Sequence, residues 1–140
     1  MEVQLVQSDA DLERVADVML ELRDAFDRPG LLAQMREQRA QGYEVAWVEA
    51  DGEALCVAGF VVGTKLAWGR HIYVDDLVTA ARHRSTGAGR TMIEWLKAHA
   101  RELGCRDLHL DSGVHRFAAH RFYLRERFDI DSHHFSITGL

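Results

Sequence analysis

From Leu77 to Ile93 the chain holds no Asp or Glu, although its 140 residues carry a formal net charge of -5. Inside that stretch runs ARHRSTGAGR, from Ala81 to Arg90, and a helical pattern follows it. The start of a helix leaves backbone N–H groups without internal partners and carries partial positive charge of about half an elementary unit. Acidic residues are the ordinary choice there, and a cation costs about 0.3–1 kcal/mol at an exposed site. Arg82, Arg84 and Arg90 make sense together if an anion from outside the chain completes the turn, and a phosphate or pyrophosphate is such an anion. Gly87 and Gly89 lack a Cβ and let backbone approach it closely. The plainer reading of the same residues is a solvated basic turn. A Walker loop is excluded, because Gly89 is followed by Arg90 and Thr91. The dinucleotide fingerprint would need glycine where Met92 stands.

Other residue types point to less. Cys56 lies in an apolar run with no His or Asp constellation near it in sequence, and Cys105 follows a helical segment. Two isolated thiols make no disulfide framework. His133 and His134 are adjacent, so on a strand they face opposite ways; His115 and His120 are five apart, a poor spacing for one metal. There is no HExxH and no Cys/His cluster, so no metal is expected.

The elements that must position the basic turn read as one mixed α/β unit of the whole length, residues 1–140, with 47% hydrophobic residues. EVQLVQ alternates as a short strand. Ser8 to Asp11 has the form of a capping box, and Leu12, Val15, Met19, Leu22 and Phe26 follow at helical spacing. Arg28-Pro29-Gly30 breaks that helix, and a short second one is expected over Leu31–Arg39. YEVAWVEA and ALCVAGFVVG are β-rich runs joined at Asp51-Gly52, a hairpin pair. RHIYVDDLVTA is a third strand. Gly87 to Leu103 presents Ala88, Met92, Leu96, His99, Ala100 and Leu103 along one helical face. RDLHLD then reads as a strand, so strand, helix and strand imply a parallel crossover. A last helix is expected over His115–Arg127 and a closing strand over FDIDSHHFSIT. The pattern predicts antiparallel strands, then a parallel β-α-β crossover, with helices on both faces of a mixed sheet. The start MEVQLVQSDADL has no signal-peptide core, and no apolar run approaches the ~20 residues of a membrane span. A cytoplasmic setting, with no membrane and no nucleic acid as partner, is the expectation from these features and the acidic balance.

Arg84-Ser85-Thr86-Gly87-Ala88-Gly89 resembles the R/Q-x-x-G-x-G/A motif of the GCN5-related N-acetyltransferase (GNAT) superfamily, and the order of elements resembles that family's fold along nearly the whole chain. The resemblance implies that backbone amides of the motif, with Arg90 beside them, hold the pyrophosphate of acetyl-CoA as co-substrate. It also implies that YVDDLVTA is the strand whose Leu77, Val78 and Thr79 contact the pantetheine arm and acetyl group. RFAAHRFYLRERF resembles the family's A-x-x-x-Y-x-x-x-G-F segment through Ala119 and Tyr123, which implies Tyr123 as general acid near the thioester sulfur. Arg116 stands where many members have Asn, and Arg127 replaces the Gly before Phe128.

The implied reaction is direct attack of a primary amine of a small molecule or peptide on the acetyl carbonyl. Such an amine has a pKa of about 10.4 and must shed a proton. Asp75 and Asp76 are expected on opposite faces of their strand, one of them toward substrate. Asp111 ends the next strand at the sheet's carboxyl edge, where ligands commonly bind. Asp75, Asp76 and Asp111 are the candidates for base or ammonium anchor, Asp76 and Asp111 foremost, with strand-end caps or salt bridges as their ordinary alternative and a water chain as another route for the proton. One of His133 and His134 is expected at the substrate pocket. A catalytically silent CoA-binding module fits the same motifs, and the resemblance also implies that a homodimer is common.

Overall fold

The structure is a computed structural model that describes all 140 residues. It divides into two compact units, Met1–Leu110 and Asp111–Leu140. The first unit contains every strand: β1 (Glu2–Leu5), β2 (Tyr43–Ala50), β3 (Glu53–Lys65), β4 (Gly69–Thr79) and β5 (Asp107–Leu110). Its helices are α1 (Asp9–Leu22), α2 (Arg28–Ala40) and α3 (Ala88–Glu102). The strands lie in the order β1-β2-β3-β4-β5. All neighbours are antiparallel except β4 and β5, which α3 connects as a parallel crossover.

Period-two alternation in the strands sorts the core between the sheet's two faces. Val45, Trp47, Val57 and Val78 pack with Leu12, Val15 and Met19 of α1 and with Leu31 and Met35 of α2. Their neighbours along the strands, Ala46, Val48, Cys56 and Ala58, are buried on the other face. α3 covers that face with Met92, Ile93 and Leu96. The rings of Trp95 and His99 stand edge-on to Phe60 there, at 6.1 and 5.8 Å. Burying each of these large side chains stabilises the fold by about 1.5–3 kcal/mol, which makes the sheet a stiff frame for β4.

Three sequence expectations need correction. Arg28-Pro29-Gly30 is the first turn of α2 rather than a gap before it. Asp27 caps it, its Oδ1 accepting from Gly30 N–H at 2.8 Å, and proline is tolerated there because the first N–H groups have no helical acceptor. β4 is not a regular strand. Gly59 pairs with Asp76 and Phe60 with Val74, so Asp75 bulges out with no partner on β3. No strand forms over residues 128–140.

The second unit contains α4 (Phe117–Arg125). It ends in a Schellman turn, with Phe128 N–H donating to Tyr123 O at 3.0 Å and Arg127 N–H to Leu124 O at 3.2 Å. Arg127 occupies the left-handed position at φ 75° where glycine is the usual residue.

Candidate functional site

The start of α3 is built by the turn that follows β4. Ala81–His83 forms one 3₁₀ turn, Ser85 turns left-handed at φ 63°, and Gly87 is the N-cap at φ 90°. The Thr86 hydroxyl donates to His83 O at 2.6 Å, and Glu21 Oε1 accepts the Ala81 N–H at 2.8 Å. No side chain caps the helix, and its first turn holds no acidic residue. Ala88 is buried against the core, which fixes the helix start, while Ser85, Thr86, Gly87 and Arg90 are exposed and Gly89 is partly so.

The arginines divide their work. Arg82 and His83 both turn to Glu53 at the start of β3, with Arg82 Nη2 at 3.6 Å and His83 Nε2 at 2.8 Å from its Oε2. That pairing, His83 first and Arg82 second, holds the Glu53 carboxyl below its ordinary pKa. Arg84 is exposed, its backbone N–H donates to Ala81 O at 3.4 Å, and its guanidinium makes no hydrogen bond or ion pair within the chain. Arg84 and the α3 amides therefore face solvent as one electropositive surface, with donors of the kind a phosphate oxygen accepts from. This arrangement fits a pyrophosphate group.

Leu77, Val78 and Thr79 form the end of β4 next to this turn. On one side they pair with Ala58, Val57 and Cys56. On the other side β5 stops at Leu110, opposite Val74, so no strand pairs with residues 75–79. A sheet edge opened in its middle presents unpaired backbone groups to an extended ligand.

The carboxylates of the bulge differ. Asp76 is mostly buried and held by two partners from afar: Tyr43 OH donates to its Oδ2 at 2.6 Å, and Arg23 Nε donates to its Oδ1 at 2.8 Å. Arg23 follows the last turn of α1, and its Nη2 also donates to Asp75 O at 3.0 Å, which clamps the bulge. Tyr43 lies across Gly59, where a Cβ would collide with its hydroxyl. Burial, and then the charge of Asp76, raise the Tyr43 hydroxyl far above its ordinary pKa, so it stays a donor. Asp75 is exposed. Partial burial, and then Asp76, raise its carboxyl above the usual carboxylate range, against the pull of Arg23. The bulge breaks strict alternation along β4, since Tyr73 and Asp76, three residues apart, stand opposite Val61 and Gly59 on one face.

In the second unit, Tyr123 is partly buried in the last turn of α4, with the Phe122 and Phe128 rings at 5.4 and 5.6 Å. Asp111 Oδ2 lies 2.6 Å from His134 Nδ1, an orientation that leaves Nε2 of the imidazole for another partner. His133 forms no such pair. No group of three or more His, Cys, Asp and Glu side chains is placed to hold a metal ion. Burial pushes the Cys56 thiol up to about 11, so at neutral pH it is protonated and packs as an apolar group. No helix is long and apolar enough to cross a membrane.

Sequence reading missed Arg23, Tyr43, Glu21 and Glu53. None lies near its partner in the chain, and the one local signal was Gly59 inside a β-rich run, a mark of close approach.

Comparison with known proteins gives the family and the fold. The acetyltransferase (GNAT) family matches residues 12–128. An uncharacterised N-acetyltransferase of Bacillus subtilis (strain 168), YhdJ, is 29% identical over 120 residues, covering 84% of each chain. Among solved structures, a ribosomal-protein-alanine N-acetyltransferase from Brucella melitensis biovar Abortus 2308 superposes with a TM-score of 0.86 at 18% identity, covering 99% of this chain and 100% of its own. The aminoglycoside N-acetyltransferase AAC(6')-Iy in complex with CoA superposes with a TM-score of 0.85 at 14% identity, covering 99% of this chain and 93% of its own. With the family matching most of its length, the chain belongs to the acetyltransferase (GNAT) family and is an N-acetyltransferase that uses acetyl-CoA.

Proposed function

We propose that the chain acetylates a primary amine of a small molecule or peptide by direct attack, without an acyl-enzyme. The observation that carries this reading is the start of α3, uncapped, free of acidic residues and flanked by Arg84. In this reading the amides of Gly87, Ala88, Gly89 and Arg90 bind the pyrophosphate. Arg84 adds charge, and Ser85 and Thr86 shape the turn. The open edge of Leu77, Val78 and Thr79 lines the pantetheine arm, with a backbone N–H near Val78 polarising the acyl oxygen. When bound, acetyl-CoA supplies an activated thioester carbonyl.

Proton handling falls to the carboxylates and Tyr123. Asp76 anchors Arg23 and, with Tyr43, fixes the bulge that presents Asp75 to the acceptor ammonium. Asp111 acts through His134, holding the ring so that Nε2 can take the proton. Tyr123 serves as general acid toward the leaving thiolate. A free phenol has a pKa of about 10 and a thiol about 8.5, so full transfer is uphill, and the hydroxyl acts mainly by hydrogen bonding as charge develops on sulfur.

Acetyl-CoA at 100 times its dissociation constant is expected to stabilise the protein by about 2.7 kcal/mol. Thermal unfolding with and without it checks the cofactor site, and absence of any shift would overturn that assignment. Release of CoA thiol across a panel of amines checks the transfer. Tyr123→Phe is expected to lower kcat by roughly 10²–10⁴-fold with little change in cofactor affinity, and unchanged turnover removes Tyr123 from the role.

A further inference from the structure

The far end of β4 carries an aromatic cluster that neither the cofactor site nor the proton chemistry uses. Trp68, in the turn between β3 and β4, stacks on His109 of β5 with ring centroids 3.5 Å apart and planes 10° from parallel. It lies parallel to Tyr73 at 6.3 Å and edge-on to the buried His71 at 5.1 Å. Tyr73 and His109 are register partners on neighbouring strands, so they stand on one face of the sheet. Tyr73 pairs with Val61 and Asp76 with Gly59, and Val61 and Gly59 are two apart on β3, so Asp76 shares that face. Val78 pairs with Val57, two further along β3, so the face runs from the aromatic cluster past the acidic bulge to Val78 at the open edge.

The cluster already holds a cation. The Lys65 ammonium sits 4.0 Å from the Trp68 centroid and 5.9 Å from that of Tyr73, and no carboxylate pairs with it. Trp is the best aromatic partner for an ammonium. With His109 behind the indole, the face that Lys65 covers is the face available to a ligand, and Lys65 is an exposed, flexible side chain able to leave it.

The geometry points to Trp68 and Tyr73 as a second ammonium subsite, occupied in the free protein by Lys65 and taken over by the distal cation of a long diamine or polyamine acceptor. This rests on the acetylation reading above and names its substrate class. Tyr73 and Val78 stand opposite Val61 and Val57, four residues apart on β3, roughly 13 Å at about 3.3 Å per residue, which sets the spacing between the reacting amine and the distal one. Asp75 and Asp76 lie between them and favour a cationic chain over an apolar one. Lys65, the last residue of β3, competes for the same ring face, so the subsite strengthens when Lys65 is removed and weakens when Trp68 is removed. A purely structural cluster has no reason to give those opposite signs.

Octamethylenediamine and octylamine, equal in length and differing in the distal ammonium, are the probes. At saturating acetyl-CoA, Trp68→Ala is expected to lower kcat/KM for the diamine about fivefold and to leave octylamine within twofold. Lys65→Ala is expected to raise the diamine value by two- to fivefold. Trp68→Phe, which keeps a packed ring with a weaker face, is expected between wild type and Trp68→Ala. Equal losses on both amines, or a Lys65→Ala loss on the diamine, overturn the subsite. Calorimetric titration of octamethylenediamine into the CoA-bound protein gives a readout independent of turnover. Tighter binding to wild type than to Trp68→Ala supports the subsite even if neither amine is acetylated, in which case the acetylation reading alone fails. Equal binding to both overturns the subsite whatever the turnover.

Discussion

Ser8 Oγ accepts the Asp11 N–H at the start of α1, and Asp27 Oδ1 accepts the Gly30 N–H at the start of α2, but no side chain reaches an N–H at the start of α3. Asp9 and Asp11 sit in the first turn of α1, whereas Arg90 sits in that of α3. All three ends present the same orphan amides and partial charge. At two of them a side chain accepts from a first-turn N–H, and at the third, beside the open end of β4, none does. In the proposed reading, the chain accepts weaker intrinsic stability at α3 in exchange for an anion site. The turn is still rigid, because Glu21, Glu53 and the Thr86 hydroxyl hold it from behind. Glu53 also draws Arg82 away, so the positive field is shaped rather than merely accumulated.

Gly87→Val breaks the contrast most strongly. A β-branched residue at φ 90° costs about 1–2 kcal/mol in the free protein. The accompanying shift of the turn is expected to remove the ~2.7 kcal/mol stabilisation that excess acetyl-CoA provides. Paired thermal melts measure both, and a full ligand shift in the variant argues against the α3 start as the cofactor site. Arg90→Glu makes α3 resemble α1 and is expected to split the two properties. The free protein gains roughly 0.3–1 kcal/mol from an acidic first turn, while affinity for acetyl-CoA falls about tenfold, or 1.4 kcal/mol. Loss of free-protein stability together with unchanged affinity is the result that contradicts it.

Ser8→Ala sharpens the comparison from the other side. Loss of the α1 cap is expected to cost about 1 kcal/mol in urea unfolding, with the acetyl-CoA dissociation constant unchanged within twofold. Helix C-termini give the smallest test. α3 ends on Gly104 at φ 73° and α4 on Arg127 at φ 75°, in the same hydrogen-bonded turn. Arg127→Gly is expected to stabilise the end of α4 by about 0.5–1 kcal/mol, read as stronger amide protection at Phe128, and Gly104→Arg to do the reverse at Cys105.

Much of this was legible without coordinates because it is local. The α3 start follows from a basic run, two glycines and an apolar helical face within about twenty residues, and Ser8 with Asp11 specifies the α1 cap in four. The β-rich runs and the parallel crossover follow from periodicity and element order. The α2 start was misread because Arg28-Pro29-Gly30 contains helix breakers, and their tolerance in a first turn depends on the Asp27 cap. The last strand was misread for a different reason. FDIDSHHFSIT has strand-forming residues, but a strand exists only with a neighbour to pair its backbone, and sequence does not supply one.

What the sequence by itself determined is the family, the mixed α/β frame and the basic, uncapped turn from Arg84 to Arg90, since such a turn needs only the right dihedral angles and small residues. What only the tertiary structure decided is the character of each carboxylate and aromatic. Asp76 is anchored by Arg23 and Tyr43, 53 and 33 residues away in the chain. Asp75 is pushed out by a one-residue slip against β3, and Trp68 is paired with His109 across the crossover. Side-chain chemistry depends on neighbours and burial, and chain folding sets both over separations that no local pattern encodes.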